Sequence, residues 1–180
     1  MASASHGPIE ILGIPVTGTT EAEVAAWVDR HLASNGRVCQ IATFNPEYAI
    51  AARGNHRSRD ALRRCELITA DGIGITLAAK LRGHHLERVT GVRLLELLAA
   101  TDQPLFLLGA GPGVAELAAR HLIEAHPNAR ICGWWSEGAP GPAQDAETTE
   151  RIRASGARIV AVAYGAPGQV LWIDRNRAAL

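Results

Sequence analysis

PLFLLGAGPGVAELAARHLIEA, Pro104 to Ala125, is the stretch whose reading decides the fold. Pro104 to Leu108 is an apolar run of strand length, and Val114 to Ala125 carries apolar residues at helical spacing. The glycine-rich turn Gly109 to Gly113 joins them. A strand that passes through a tight turn straight into a helix is the first half of a βαβ unit, and the flanking sequence continues the alternation of strand and helix.

Upstream, Ile9 to Leu12 is a short apolar run of strand type. Thr20 stands three residues before Glu23 as a capping box, opening a helix that carries Val24, Trp27, Val28, His31 and Leu32 and ends near Gly36. Arg37 to Ala42 reads as a buried strand. Asn45-Pro46 is an N-cap with proline at the first helical position, so a second helix begins just after Thr43. Cys65 to Thr69 is a strand, Asp71-Gly72 opens a helix through Leu81, and Thr90 caps a helix bearing Leu94 to Leu98. Downstream come a strand at Ala129 to Cys132, a polar helix at Ala143 to Ala154, a strand at Arg158 to Ala163 and a last helix at Val170 to Ala179.

Strands alternating with helices of this length predict an α/β fold, a Rossmann-like α/β/α sandwich with a mostly parallel sheet, in a single domain spanning residues 1–180. Right-handed crossovers place the strand-to-helix loops on one side of such a sheet, where open α/β proteins bind ligands. The loops concerned are Thr43 to Asn45, Asp71-Gly72, Gly109 to Gly113 and Gly165 to Gln169.

Composition narrows the partners. Lysine plus arginine and aspartate plus glutamate balance at 18 each, so no whole-chain field favours nucleic acid or an anionic membrane. The three cysteines lack CxxC spacing, which points to reduced thiols and away from zinc. No segment approaches the ~20 apolar residues of a spanning helix, and the N-terminus lacks the pattern of a signal peptide, which predicts a cytoplasmic protein.

Each candidate residue carries two readings. Gly109, Gly111 and Gly113 can cradle phosphate with backbone amides, or serve only the turn. A dinucleotide fingerprint fails because Val114 stands where the third glycine belongs, and no Gly-Lys-Ser/Thr makes a P-loop. Asp71 is a general-base candidate or the cap of the helix that follows it. Thr43 and Asn45 offer polar groups to a hydroxylated ligand or merely make a turn and a cap. Arg88 suits a diphosphate, or pairs with neighbouring Glu87 in solvent. His84-His85 is a poor metal pair because adjacent side chains diverge. Of Trp134 and Trp135, at least one is expected to pack on the core.

Taken together, T-x-N-P-E at Thr43, A-D-G-x-G at Ala70, E-R-V-T-G at Glu87 and the L-L-G…P-G-V-A segment at Leu107 resemble the WecG/TagA/CpsF family, glycosyltransferase family 26, from about Ile9 to Ile173. The resemblance implies a metal-independent, cofactor-free inverting enzyme. It would move an N-acetylmannosamine-type sugar from a UDP-sugar donor to an undecaprenyl-diphosphate-linked N-acetylglucosamine acceptor in cell-envelope polysaccharide or teichoic acid synthesis. It assigns the catalytic base to Asp71 and pocket roles to Thr43, Asn45, Arg88 and Gln169, with the glycine-rich backbone steadying the leaving group.

Three departures from the family pattern stand out. Val16 replaces an aspartate, Pro167-Gly168-Gln169-Val170 replaces P-K-Q-E, and the chain stops at Leu180, short of the basic C-terminal appendage linked to membrane docking. They keep open an alternative: a catalytically impaired nucleotide-sugar-binding or assembly protein with the same fold. The expected partners are the donor, the lipid-linked acceptor, a weak or tail-dependent contact with the inner face of the cell membrane, and a second copy of the chain; nucleic acid is not among them.

Overall fold

In a computed structural model of the chain, residues 8–17, 20–34, 36–138 and 140–180 are described. The chain is mixed α/β with mostly parallel strand pairing, as expected, and it divides into two compact units. No helix among the described residues is long and apolar enough to cross a membrane.

The first unit runs to Ser34 and from Cys39 to Gly91. It opens with an antiparallel hairpin, β1 (Ile9–Ile11) and β2 (Ile14–Val16), in which Ile9 faces Val16. The second strand was not expected from the sequence. Its turn is made by Leu12 and Gly13, both with positive φ, a two-residue connection that leucine disguises because such turns normally advertise themselves with Asn or Gly at both positions. Helix α1 (Glu21–Ala33) has the capping box of Thr20 and Glu23 and buries Val24 and Val28.

β3 (Ile41–Phe44) pairs in parallel with β4 (Leu67–Ala70), Thr43 opposite Thr69 and Phe44 opposite Ala70. The strand expected from Arg37 thus begins four residues later. Asn45 caps α2 (Pro46–Gly54), accepting from the Tyr48 amide at 3.0 Å. A break then follows that the sequence reading passed over: Asn55 closes α2 and its Oδ1 accepts from Arg57 N at 2.9 Å to open α3 (His56–Arg63). After β4 comes α4 (Ile73–Lys80), entered through Gly72 at φ 113°.

The second unit takes Val92–Leu180 and the short segment ending at Val38. It contains most of α5 (Gly91–Ala99), then β5 (Leu105–Gly109), α6 (Val114–Ala125), β6 (Ile131–Trp135), the 3-10 turn Pro142–Gln144, α7 (Asp145–Ala154), β7 (Ile159–Ala163) and α8 (Gly168–Asn176). The three strands are parallel in the order β6-β5-β7. β5 is central and buried along its whole length, which fits the uninterrupted apolar run that identified it. Phe106, Leu108, Ile152 and Trp172 form its core on one side.

Two boundaries differ from expectation in ways that bear on function. Trp134 and Trp135 lie inside β6 rather than after it; Trp135 packs against the core with the Arg151 guanidinium over its ring, while Trp134 is exposed. α8 starts at Gly168, two residues earlier than expected, so Gln169 belongs to its first turn.

Candidate active site

The parallel register of β3 and β4 brings Thr43 and Asp71 off neighbouring strand ends, and the Asp71 amide donates to Phe44 O at 2.8 Å. The other edge of β4 is covered in two stages. Thr17, following β2, donates its amide to Ile68 O and accepts from Ile68 N through its hydroxyl at 2.8 Å. Further along, Leu86–Val89 takes over: Arg88 bridges Ala70 in parallel fashion, Val89 N donates to Ala70 O at 2.9 Å, and Thr69 Oγ1 donates to Val89 O at 3.0 Å.

This edge segment delivers Arg88 to Asp71, with Nε 4.0 Å from Oδ1. The arginine side chain is 53% exposed and the aspartate 23%, so the pair opens toward solvent on the arginine side. Asp71 Oδ2 accepts from the Gly91 amide at 3.3 Å. A Cβ placed on Gly91 would stand 3.6 Å from Thr43 Oγ1, which puts the threonine hydroxyl in the same small group. Thr43, Asp71, Arg88 and Gly91 therefore come together at the C-terminal ends of two parallel strands.

Asp71 does not cap the helix that follows it: Gly72 holds the N-cap position of α4 without any side-chain bond, and the carboxylate turns to Gly91, twenty residues on. Glu87 does not pair with Arg88 in solvent; its Oε2 accepts from the Glu21 amide at 2.9 Å, at the start of α1, leaving the guanidinium to Asp71. Asn45, by contrast, spends its Oδ1 on the α2 cap, so its NH2 group is what it has to offer a ligand.

Within the second unit, Gly109, Gly111 and Gly113 form the β5-to-α6 turn, and Gln169 stands in the first turn of α8 after β7. Gly109 has φ 90°, and a Cβ there would fall 2.7 Å from the Tyr164 ring and 2.9 Å from Ala163 O. Packing alone demands glycine at that position. Gly113, at φ 76°, serves the left-handed entry to α6. Gly111 is different: it has no positive φ and meets only Val114 at an ordinary 3.7 Å, so the turn itself does not require it. The Ala110 and Val114 amides are already used, bonding to Ala163 O and Gly111 O.

The sequence reading missed one more polar cluster in this unit. Arg175 donates through Nε and Nη2 to both carboxylate oxygens of Asp145 and also, through Nη2, to Pro140 O at 2.8 Å. The bidentate arginine holds the Asp145 carboxyl below the usual carboxylate range. Beside it, burial pushes the Tyr164 phenol up, with Asp145 adding to the effect. Arg175 is thus occupied by Asp145 and Pro140. Val16 and Val170, two departures from the family pattern, are both buried in the core. Among the described residues no group of three or more His, Cys, Asp or Glu side chains is placed to hold a metal ion.

The geometry defines an α/β protein with an aspartate, an arginine and a hydroxyl side chain assembled at parallel strand ends. The profile of the Glycosyl transferase WecG/TagA/CpsF family matches residues 9–180, and the chain belongs to that family. It is 27% identical over 173 residues to an N-acetylglucosaminyldiphosphoundecaprenol N-acetyl-beta-D-mannosaminyltransferase of Bacillus subtilis (strain 168), covering 93% of this chain and 66% of that protein. It is 32% identical over 143 residues to the protein of the same description from Bacillus spizizenii, covering 76% and 54%. The chain therefore spans between half and two thirds of the length of these relatives.

Proposed function

We propose that the chain transfers an N-acetylmannosamine-type sugar from a UDP-sugar to a lipid-linked, undecaprenyl-diphosphate-bound N-acetylglucosamine, with inversion at the anomeric carbon. The observation that carries the proposal is the grouping of the Asp71 carboxylate with the Arg88 guanidinium, the Thr43 hydroxyl and the Gly91 amide. Membership of a glycosyltransferase family and the activity for which two relatives are named support it.

In this reading the acceptor hydroxyl oxygen attacks the anomeric carbon as the bond from that carbon to the phosphate oxygen of UDP breaks. The hydroxyl proton passes to Asp71, and UDP leaves with the bonding electron pair. General-base help of this kind contributes roughly 10²- to 10⁴-fold. Arg88 carries the charge that develops on the diphosphate, a task for which a planar, permanently charged fork is suited. Thr43 and the Asn45 amide bind sugar hydroxyls. In the second unit, Gly111 is the glycine of the β5-to-α6 turn that the backbone does not itself demand, whereas Gly109 and Gly113 act through the shape of their turn. No metal or cofactor takes part, and the enzyme works at the inner face of the cell membrane, where such a lipid acceptor is presented.

The alternative, a nucleotide-sugar-binding protein without transfer activity, rests on Gly168 and Val170 in place of a lysine and a carboxylate. The test is release of UDP from a panel of UDP-sugars, with and without a soluble lipid-diphosphate-N-acetylglucosamine analogue, in the presence of chelator. Acceptor-dependent release supports transfer; tight UDP binding without release supports the alternative.

A further inference from the structure

Helix α4 has two apolar faces, and the fold uses only one. Ile75 and Ala79 are buried, whereas Ile73, Leu77 and Leu81 are 73%, 52% and 81% exposed. The three exposed residues recur every four positions, and Leu81 keeps helical backbone angles as the C-cap, so they make one continuous stripe. The helix carries a single hydroxyl, on Thr76, and it donates to Ile73 O at 3.0 Å. Water gains little from this face. A helix apolar on both sides calls for a second apolar environment.

The charge around the stripe says which environment. From Ile73 to His85 there is no acidic residue, and Lys80, Arg82, His84 and His85 are all exposed at the C-terminal end of α4. Arg82 is fixed there by a bond to Glu10 O at 3.1 Å, and the one acid on β1, which packs against α4, is Glu10. Apolar side chains bordered by cations match an anionic bilayer interface, where the former sink below the headgroups and the latter stay among them. Pro46 of α2 lies over Gly72 and Gly74, and Ile50, one turn further along α2, is also 73% exposed.

We propose that the Ile73-Leu77-Leu81 face of α4 docks the protein on an anionic membrane surface. The stripe starts two residues after Asp71, so docking by this face brings the strand ends that bear the candidate base to the lipid boundary. That last point rests on the proposed transfer to a lipid-linked acceptor. The docking itself does not, because it can be read without any sugar substrate.

The experiment is co-sedimentation of the chain with vesicles of phosphatidylcholine containing phosphatidylglycerol and with vesicles of phosphatidylcholine alone, alongside size-exclusion chromatography. The wild-type chain is expected to bind the anionic vesicles. Leu77→Gln with Leu81→Gln should lower that partitioning roughly tenfold or more. Lys80→Gln should lower it roughly fivefold on anionic vesicles and little on neutral ones. The double variant should keep wild-type UDP release with the soluble acceptor analogue, so a failure of docking and a failure of transfer appear in different assays. Absence of wild-type binding to anionic vesicles, or equal binding by the double variant, overturns the proposal. So does a wild-type dimer that the double variant converts to a monomer, since the stripe would then be covered by a second copy.

Discussion

The Gly91 amide donates to Asp71 Oδ2 at 3.3 Å across twenty residues of sequence, tying the end of β4 to the first N–H of α5. Asp71 thus has a structural task as well as its proposed chemical one, and the two can be separated. An amide oxygen can accept the same bond, while a methyl group cannot. Asp71→Ala is expected to destabilise the fold by about 1 kcal/mol, in line with loss of a helix-terminal acceptor, and Asp71→Asn by less than half of that. Denaturant unfolding of both variants measures the difference.

The glycine-rich turn should divide in the same way. Gly109→Ala forces a left-handed φ on alanine and drives its Cβ into Tyr164 and the Ala163 carbonyl, so a loss of about 2 kcal/mol or more is expected. Gly111→Ala meets only an ordinary contact and should leave stability within about 0.5 kcal/mol. Weaker UDP binding by the same variant in a calorimetric titration would give this turn a phosphate-cradling role as well. Unchanged affinity would reduce the segment to a turn.

Gly168 is the family departure that is easiest to reverse. It stands at the first position of α8 without positive φ, and a Cβ there meets Pro140 and Tyr164 side chains at 3.5 and 3.6 Å. Gly168→Ala should therefore stabilise the protein by about 0.5 kcal/mol through the unfolded chain, and Gly168→Lys should fold equally well. Thermal melts of the two variants check this. Val170 will not tolerate the matching reversal, because it is 1% exposed and a glutamate there buries an acid in the core.

Asp145 gives the acid side of the stability curve a defined component. Its folded pKa is lowered, first by the Arg175 hydrogen bonds, so the stabilisation is fully present above the unfolded carboxylate value and is lost as pH falls through the folded value. The window thus lies below about pH 4. Asp145→Asn should cost about 1 kcal/mol at neutral pH and flatten the fall in stability below about pH 4. Urea midpoints measured across that range provide the comparison.

How much of this was legible in the sequence follows from the range over which each signal acts. The Thr20–Glu23 box, the Asn45-Pro46 cap and the buried run of β5 are local chemistry, and the structure keeps them nearly to the residue. Asp71, Thr43 and Arg88 were singled out, but what joins them was not. Arg88 reaches Asp71 through an edge segment whose only regular feature is a bridge to Ala70, and Gly91 looks like a helix-starting glycine until its amide is seen on the carboxylate. The bonds made by Glu87 and Arg175 are not legible in the sequence for the same reason. Their partners, Glu21 and Asp145, lie 66 and 30 residues away, and no periodicity records such a pairing. The Leu12-Gly13 hairpin escaped because Leu12 takes a conformation its type rarely adopts.

The central claim is that Asp71 removes the acceptor proton during sugar transfer, and its most direct test is acceptor-dependent UDP release by the wild-type chain and by Asp71→Asn, measured in chelator under saturating donor. The account predicts a β-linked product from the wild type and a fall of roughly 10²- to 10⁴-fold in the variant with its fold and UDP affinity retained. Full turnover by a correctly folded Asp71→Asn variant would contradict it, and would leave Asp71 a structural role through Gly91 and Arg88.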